Sequence, residues 1–237
     1  MREFPPDLAP FLTFAPDAQV KANTEHAKSL GLPRVTFLPM TAERLALVGG
    51  GPSIKQHWLE LKEYRYVFAI NGAYEFLLKR GIEAAFVSVD HSPLIANFCR
   101  NVKRAIIATR CAPETFAALK DADVRVFDVP GDVVGGSATA ITIIDLAAKM
   151  GFGKVTLFGC ESSFKGQTHA YTNEAQNVIT VRADSREFAS RPDLYLHARE
   201  LSAAIRLNPG VITERSGGLL RAMVRDANHQ MLLPEAA

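Results

Sequence analysis

A glycine-rich turn at residues 49–53 holds the residue types in this sequence that are best suited to chemistry. A short apolar run ends there, three glycines, a proline and a serine follow, and residues 54–61 have helical spacing. Glycines let backbone N–H groups approach a ligand closely, and the start of a helix favours an anion. We therefore predict a phosphate-binding turn made of Gly49, Gly50, Gly51, Pro52 and Ser53. A plain strand-to-helix turn is the alternative interpretation.

The turn matches neither of two common phosphate-binding motifs. Ile54 stands where the third glycine of the dinucleotide motif G-x-G-x-x-G would be. No Gly-Lys-Ser/Thr follows, as a P-loop would require. Standard NAD enzymes and P-loop NTPases are therefore disfavoured.

A second turn repeats the logic of the first. Gly135, Gly136 and Ser137 precede a long apolar segment with helical spacing. We predict a second anion site there, because two such sites on one rim would suit a diphosphate, or a phosphate and a charged acceptor. Alternatively, Ser137 is only the N-cap of the helix and the glycines merely allow the turn.

Two carboxylates follow apolar runs that we predict to be strands. Asp90 ends the run at residues 84–90, and Glu161 follows the run at residues 155–158. Mg²⁺ prefers carboxylate oxygens, so we predict that Asp90 and Glu161, at adjacent strand ends, hold a magnesium ion that carries nucleotide phosphates. Glu161 could instead act as a base. Asp90 could bind a ribose hydroxyl, or cap a helix that begins near Ser92.

Other polar side chains complete the predicted site. The Asn71 amide offers a donor and an acceptor for a base or sugar edge, although a turn residue before Gly72 would serve equally well as an explanation. His169 lies in a polar loop and could act as a catalytic base, or be an exposed bystander. Arg110 and Lys165 are weaker candidates for binding phosphate.

The elements that must position these residues alternate regularly. Apolar runs and helical stretches follow one another from residue 44 to residue 160, which predicts βαβ units and a mostly parallel sheet with helices on both faces. The polar candidates follow the apolar runs, and ligands of such sheets bind at the carboxyl ends of the strands. We predict an N-terminal arm at residues 1–43 and one Rossmann-like α/β domain at residues 44–237 with a C-terminal α+β extension.

Composition limits the function classes. The chain has 237 residues, of which 48% are hydrophobic and 22% charged, and a formal net charge of +2, which gives no reason to expect a nucleic-acid partner. Its three widely spaced cysteines predict neither a disulfide framework nor a zinc site. No signal peptide or membrane span is recognisable, so we expect a cytoplasmic protein whose partners are a nucleotide and a small-molecule acceptor.

Several segments, in order, resemble the MptE-like family. This family includes archaeal 6-hydroxymethyl-7,8-dihydropterin diphosphokinases and the domain of the Maf glycosyltransferases that modify flagellin. The resemblance covers about residues 44–171. The segments are residues 47–54, 69–74, 81–82 leading to 86–90, 136–137, 157–161 and 168–170.

The resemblance implies a Rossmann-like fold whose Gly-Pro-Ser turn binds nucleotide phosphates, with Asp90 and Glu161 at the active site. Its first implied reaction is pyrophosphoryl transfer from Mg-ATP to a small alcohol such as the pterin hydroxymethyl group. The alternative is glycosyl transfer from a CMP-linked or other nucleotide-linked sugar, as in sialyltransferases, with Asn71 contacting the nucleotide, His169 as base and metal optional. A non-catalytic nucleotide-binding or interaction domain is a third possibility.

Overall fold

A parallel sheet of seven strands forms the centre of the molecule in the computed structural model, which describes residues 15–164 and 178–232. In chain order the strands are β1 (Arg44–Val48), β2 (Tyr66–Ile70), β3 (Ala85–Ser88), β4 (Arg104–Ala108), β5 (Asp123–Phe127), β6 (Lys154–Phe158), β7 (Ile179–Ala183), β8 (Arg186–Ser190), β9 (Ile212–Glu214) and β10 (His229–Leu232). The parallel sheet has the order β5-β4-β3-β2-β1-β6-β9. Its central strands are apolar and buried, as expected for strands covered on both faces.

Helices connect the strands. They are α1 (Asp17–Ser29), α2 (Ile54–His57), α3 (Ala73–Leu78), α4 (Pro113–Ala118), α5 (Thr139–Lys149), α6 (Pro192–Leu207) and α7 (Gly218–Arg225), with 3-10 helices at Trp58–Glu63 and Pro93–Phe98. The helix predicted at residues 54–61 is therefore a single α-helical turn followed by a 3-10 helix. It begins with tight hydrogen bonds from residue i to residue i−3, including that from Lys55 N–H to the Pro52 carbonyl.

The strand order reverses between β1 and β6. From β1 the chain adds strands successively on one side up to β5, and α5 then returns it to the other side of β1, where β6 pairs in parallel. Val48 lies opposite Ala69 of β2 on one side and opposite Phe158 of β6 on the other. The turn after β1 and the loop after β6 therefore leave the sheet side by side, at the topological switch point where ligands of such folds bind.

A smaller antiparallel sheet, in the order β10-β7-β8, belongs to the C-terminal extension. It packs with α6 and α7 around a separate apolar cluster that includes Val181, Tyr195 and Met223. Between these two helices the chain returns to the parallel sheet as β9, beside β6. The predicted Rossmann-like α/β fold with a C-terminal α+β extension is confirmed.

The described part of the N-terminal arm lies against the edge of the parallel sheet. The Val35 N–H donates to the Val126 carbonyl at 3.0 Å, and the Val126 N–H donates to the Pro33 carbonyl at 2.9 Å. Arg34 forms ion pairs with Asp128 and Asp132 beyond the end of β5. None of the helices in the described ranges combines the length and apolar character that a membrane crossing requires.

Candidate functional site

The turn after β1 uses two of its glycine amides inside the protein. The Gly49 N–H donates to the Phe158 carbonyl at 2.7 Å, and the Gly51 N–H donates to the Gly159 carbonyl at 2.8 Å. A Cβ at Gly49 would lie 2.5 Å from the Gly159 oxygen, so the two backbones can approach only because the side chain is absent. The prediction that these amides are open to a phosphate is therefore wrong for Gly49 and Gly51. Within the described ranges, the Gly50 N–H has no acceptor.

Ser53 binds an anion, and this anion is the chain's own Glu161. The Ser53 N–H donates to Oε1 of Glu161 at 2.6 Å, and the Ser53 hydroxyl donates to Oε2 at 2.8 Å. A Cβ at Gly51 would lie 2.2 Å from Oε2, so this glycine makes the room that the carboxylate occupies. Glu161 is only 5% exposed, and this burial raises the pKa of its carboxyl although the Ser53 hydrogen bonds oppose the shift.

The second predicted anion site has the same arrangement. The N–H and the hydroxyl of Ser137 both donate to Oε2 of Glu200, each at 2.8 Å. A Cβ at Gly136 would come within 3.1 Å of that oxygen, and the Gly136 N–H donates to Oγ1 of Thr142. The alternative interpretation, in which Ser137 caps α5, is wrong because the N-cap is Ala138. Each glycine-serine turn thus holds a glutamate of this chain.

One face of α6 brings titratable groups to the second turn. Asp193, His197 and Glu200 are spaced four and then three residues apart, which places them on one side of the helix. Burial lowers the pKa of the His197 imidazole, although the neighbouring Asp193, Glu200 and Ser137 carbonyl act to raise it. Burial acts to raise the pKa of Asp193, but its hydrogen bonds with Arg191 lower it below the ordinary value. Sequence reasoning missed His197 and Glu200, although this helical spacing was a usable signal.

Asn71 lies beside the first turn, at the end of β2. The pairing of Val48 with Ala69 brings it to the level of Gly50. Its φ of 47° places it in the left-handed region, which asparagine tolerates better than most residues. Its side-chain oxygen Oδ1 is buried and has no hydrogen-bond partner in the described part of the chain. A buried acceptor without a donor is destabilising, so a donor supplied by a ligand would be favourable here.

The family was established by comparison with known proteins. A family model described as 6-hydroxymethylpterin diphosphokinase MptE-like matches residues 22–167, more than half of the chain. The chain belongs to the MptE-like family. The match begins within α1, so the family model includes residues 22–43 of the predicted N-terminal arm of this MptE-like chain.

A solved structure has a similar fold. The MAf glycosyltransferase from Magnetospirillum magneticum AMB-1 superposes on the MptE-like chain with a TM-score of 0.61 at 16% sequence identity. The similarity covers 85% of the MptE-like chain but only 37% of the glycosyltransferase chain. No curated protein sequence matches. The family description and the name of this neighbour both refer to transferases, and a transferase-type function is the coarse assignment that they support.

Asp90 lies just beyond β3 in this MptE-like fold and does not cap the helix that follows. Its Oδ1 accepts a hydrogen bond from the Ser92 N–H at 2.9 Å, and Nδ1 of His91 lies 3.9 Å from the same oxygen. Ser92, and not Asp90, is the N-cap of the following 3-10 helix, where its hydroxyl oxygen accepts from the Leu94 N–H. Arg110, at the end of β4, has a buried Nε with no hydrogen-bond partner among the described residues.

The predicted magnesium site does not fit the geometry. β3 and β6 are separated by β2 and β1, so the strands that carry Asp90 and Glu161 lie roughly 14 Å apart at about 4.8 Å per strand. The prediction of adjacent strand ends is therefore wrong, and both Glu161 oxygens already accept hydrogen bonds from Ser53. Across residues 15–164 and 178–232, no cluster of three or more His, Cys, Asp or Glu side chains is suited to a metal.

Two predicted site residues, His169 and Lys165, lie outside the described residues, and the buried thiol of Cys160 is unsuited to act as a nucleophile. His169, the predicted base, and Lys165 fall between residues 164 and 178, so the structure gives them no position. Cys160 follows β6, and burial raises the pKa of its thiol to about 12. Such a thiol is protonated at neutral pH and is a poor nucleophile.

Proposed function

We propose that this chain is a nucleotide-dependent transferase that binds the nucleotide over the carboxyl ends of β1, β2 and β6. One observation carries the proposal: at the switch point, the N–H and hydroxyl of Ser53 converge on a single anionic group. Two donors of this kind suit a phosphate as well as they suit a carboxylate, because both present paired anionic oxygens. The family and the position in the fold support the same location.

Within this class we favour transfer of a sugar from a nucleotide-linked donor, of the CMP-sugar type. Pyrophosphoryl transfer from Mg-ATP, the first expectation from the sequence, requires carboxylates that hold the metal, and the strands do not bring Asp90 and Glu161 together. The unpartnered Asn71 oxygen beside the turn suits a donor such as the exocyclic amine of cytosine or a ribose hydroxyl. The structural neighbour is named as a glycosyltransferase, which agrees with this choice.

In such a transfer the chain's main task is to stabilise the leaving nucleotide. The bond between the sugar carbon and the phosphate oxygen breaks, a bond from an acceptor hydroxyl oxygen to that carbon forms, and a base accepts the hydroxyl proton. Negative charge grows on the phosphate as its bond to the sugar breaks, so the Ser53 donors act where the charge develops. His169 stays the predicted base.

Mg-ATP pyrophosphoryl transfer is the second candidate, because the family description names a diphosphokinase. A thermal-shift panel separates the two. We expect CMP and a CMP-sugar to raise the melting temperature without metal, whereas pyrophosphoryl transfer predicts stabilisation by ATP only when Mg²⁺ is present. Stabilisation without turnover of either donor would instead indicate a non-catalytic nucleotide-binding domain.

Ser53→Ala tests the phosphate contact directly. The variant removes a hydroxyl that donates to Glu161 in the free protein and would donate to the phosphate in the complex. Because the phosphate accepts the stronger hydrogen bond of the two, we expect the dissociation constant for CMP to rise by about threefold to tenfold. Isothermal titration calorimetry measures it. Ser29 is an exposed serine at the C-terminal end of α1, so Ser29→Ala is the matched control and should bind CMP with the same affinity as the wild type. Equal affinity of Ser53→Ala and wild type would refute the site.

A further inference from the structure

The two glycine-serine turns are filled in the same way, although different parts of the chain fill them. Ser53 gives its N–H and hydroxyl to Glu161 from the loop after β6, and Ser137 gives both donors to Glu200 from α6. In each case a glycine, Gly51 or Gly136, lies against the carboxylate. The turns have the donors of a phosphate site, yet a carboxylate of the same chain occupies each one.

Glu161 is held there by few interactions. In the described ranges no Lys or Arg side chain forms an ion pair with it, and its buried charge is stabilised by the two Ser53 hydrogen bonds and by the His57 imidazole. Burial is the largest influence on this carboxyl and disfavours its charged form, so the carboxylate gains hydration when it leaves the turn. Its backbone is fixed, because the Glu161 carbonyl accepts from the Leu220 N–H at 3.0 Å and a Cβ at Gly218 would lie 2.7 Å from the Glu161 Cβ. These contacts hold the loop without using the carboxylate, so displacement of Glu161 from Ser53 requires only its side chain to move.

We propose that Glu161 determines ligand specificity at the proposed nucleotide site by competing for Ser53, so that a ligand enters only if its phosphate displaces the carboxylate. The proposal rests on the proposed function. A phosphate monoester such as CMP carries up to two negative charges and three acceptor oxygens, against one charge and two oxygens for Glu161. The phosphodiester of a CMP-linked sugar carries one charge, so the advantage over Glu161 grows as the bond to the sugar breaks. A neutral nucleoside or a simple carboxylate offers no such advantage. The ligand class that displaces the glutamate best is therefore a phosphate monoester such as CMP, the nucleotide that leaves when the sugar is transferred.

Glu161→Asp is the decisive variant, because it keeps the charge but shortens the side chain so that it no longer reaches both Ser53 donors. We expect CMP to bind at least about tenfold more tightly than to the wild type, since it no longer has to break two charge-assisted hydrogen bonds. Cytidine, which lacks the phosphate, should bind equally to both proteins. Calorimetric titration of CMP and cytidine gives the two dissociation constants.

Two further variants keep the result interpretable. Glu161→Gln removes the charge while preserving the size, and it should tighten CMP in the same direction, which covers the case in which Glu161→Asp fails to fold. Glu83→Asp, at a side chain that is 90% exposed before β3, is the matched control and should change nothing. Melting temperatures of all variants show whether they are folded.

The outcomes distinguish this proposal from the proposed function. If the wild type binds CMP and Ser53→Ala loses affinity, but neither Glu161 variant binds more tightly, the competition is refuted and the nucleotide site stands. Equal tightening for cytidine and CMP would also refute it, because the effect would not concern phosphate. If the wild type and both Glu161 variants bind neither CMP nor ATP, the proposed function and the competition both fail.

Discussion

The glycines of the first turn serve the protein's own packing before they serve any ligand. Gly49 and Gly159 cross so closely that a Cβ on either would lie within 2.5 Å of the other's carbonyl oxygen. Gly51 makes room for the Glu161 carboxylate. A run of glycines in a sequence indicates that side chains are excluded at those positions, but it does not indicate which group packs against the backbone there. Here the β6 loop approaches Gly49, and this explains why the amides predicted for phosphate are already paired.

Gly159→Ala tests this close approach. Gly159 has a φ of 62° and its Cβ would lie 2.4 Å from the Gly49 oxygen, so alanine would suffer both backbone strain and a clash with backbone. We expect a loss of about 3 kcal/mol or more in the free energy of unfolding. Gly81→Ala is the matched control, because Gly81 has a φ of 69° but nothing within 4 Å, and it should lose only about 1 kcal/mol. Urea denaturation measures both, and equal losses would contradict the role of the crossing.

At the level of elements, α6 belongs to the candidate site. This segment is predicted from the sequence to be part of the C-terminal extension, and no site residue is predicted in it. Its Glu200 accepts both hydrogen bonds of Ser137 in the turn before α5, and Asp193 and His197 lie on the same side of the helix. The strand β8, which leads into α6, is tied to the loop after β6 at its last residue, because the Ser190 hydroxyl donates to the Ser162 carbonyl at 2.7 Å. The C-terminal extension therefore contributes directly to the rim formed by the parallel sheet.

A double-mutant cycle measures how strongly α6 is joined to the second turn. Ser137→Ala removes one donor to Glu200, Glu200→Gln removes the charge, and the double variant gives the coupling free energy. We expect a coupling of about 1 kcal/mol or more, because a partly buried, charge-assisted hydrogen bond exceeds a neutral one. The distant pair Ser29→Ala and Glu200→Gln is the control and should be additive to within about 0.5 kcal/mol. A coupling near zero for the first pair would mean that α6 docks independently of this contact.

For the whole molecule, the sequence predicts the helices and strands better than it predicts which strands lie side by side in the sheet. Alternation of apolar runs and helices identifies β1 to β6, because each strand is a local pattern. Strand order does not follow from a local pattern. Asp90 and Glu161 are predicted to be neighbours because each follows a strand, but the sheet order places β2 and β1 between those two strands. The contact of Glu200 with Ser137 is non-local in the same way, since 63 residues of sequence separate the two, although the helical spacing of Glu200 with His197 is a local signal. Long-range contacts of this kind leave no pattern within a short window.

The described part of the N-terminal arm contacts both the edge of the parallel sheet and α4. Residues 33–35 pair with the edge of β5, Asn23 donates to the Arg110 carbonyl at 3.0 Å, and His26 of α1 lies against Phe116 of α4. Such contacts cover a sheet edge that would otherwise be open to association with other chains. We therefore expect the described arm and the sheet to unfold as one cooperative unit, in a single transition.

Amide hydrogen exchange followed by NMR tests this expectation residue by residue. The amides of Val35 and Val126 should exchange about as slowly as that of Ile107 in the neighbouring strand β4, because all three would open only with the whole sheet. The exposed amide of Lys120, which follows α4, is the control for local opening and should exchange much faster. Rapid exchange at Val35 together with slow exchange at Ile107 would show that the arm detaches while the sheet stays folded. The edge of β5 would then be uncovered intermittently in the native protein.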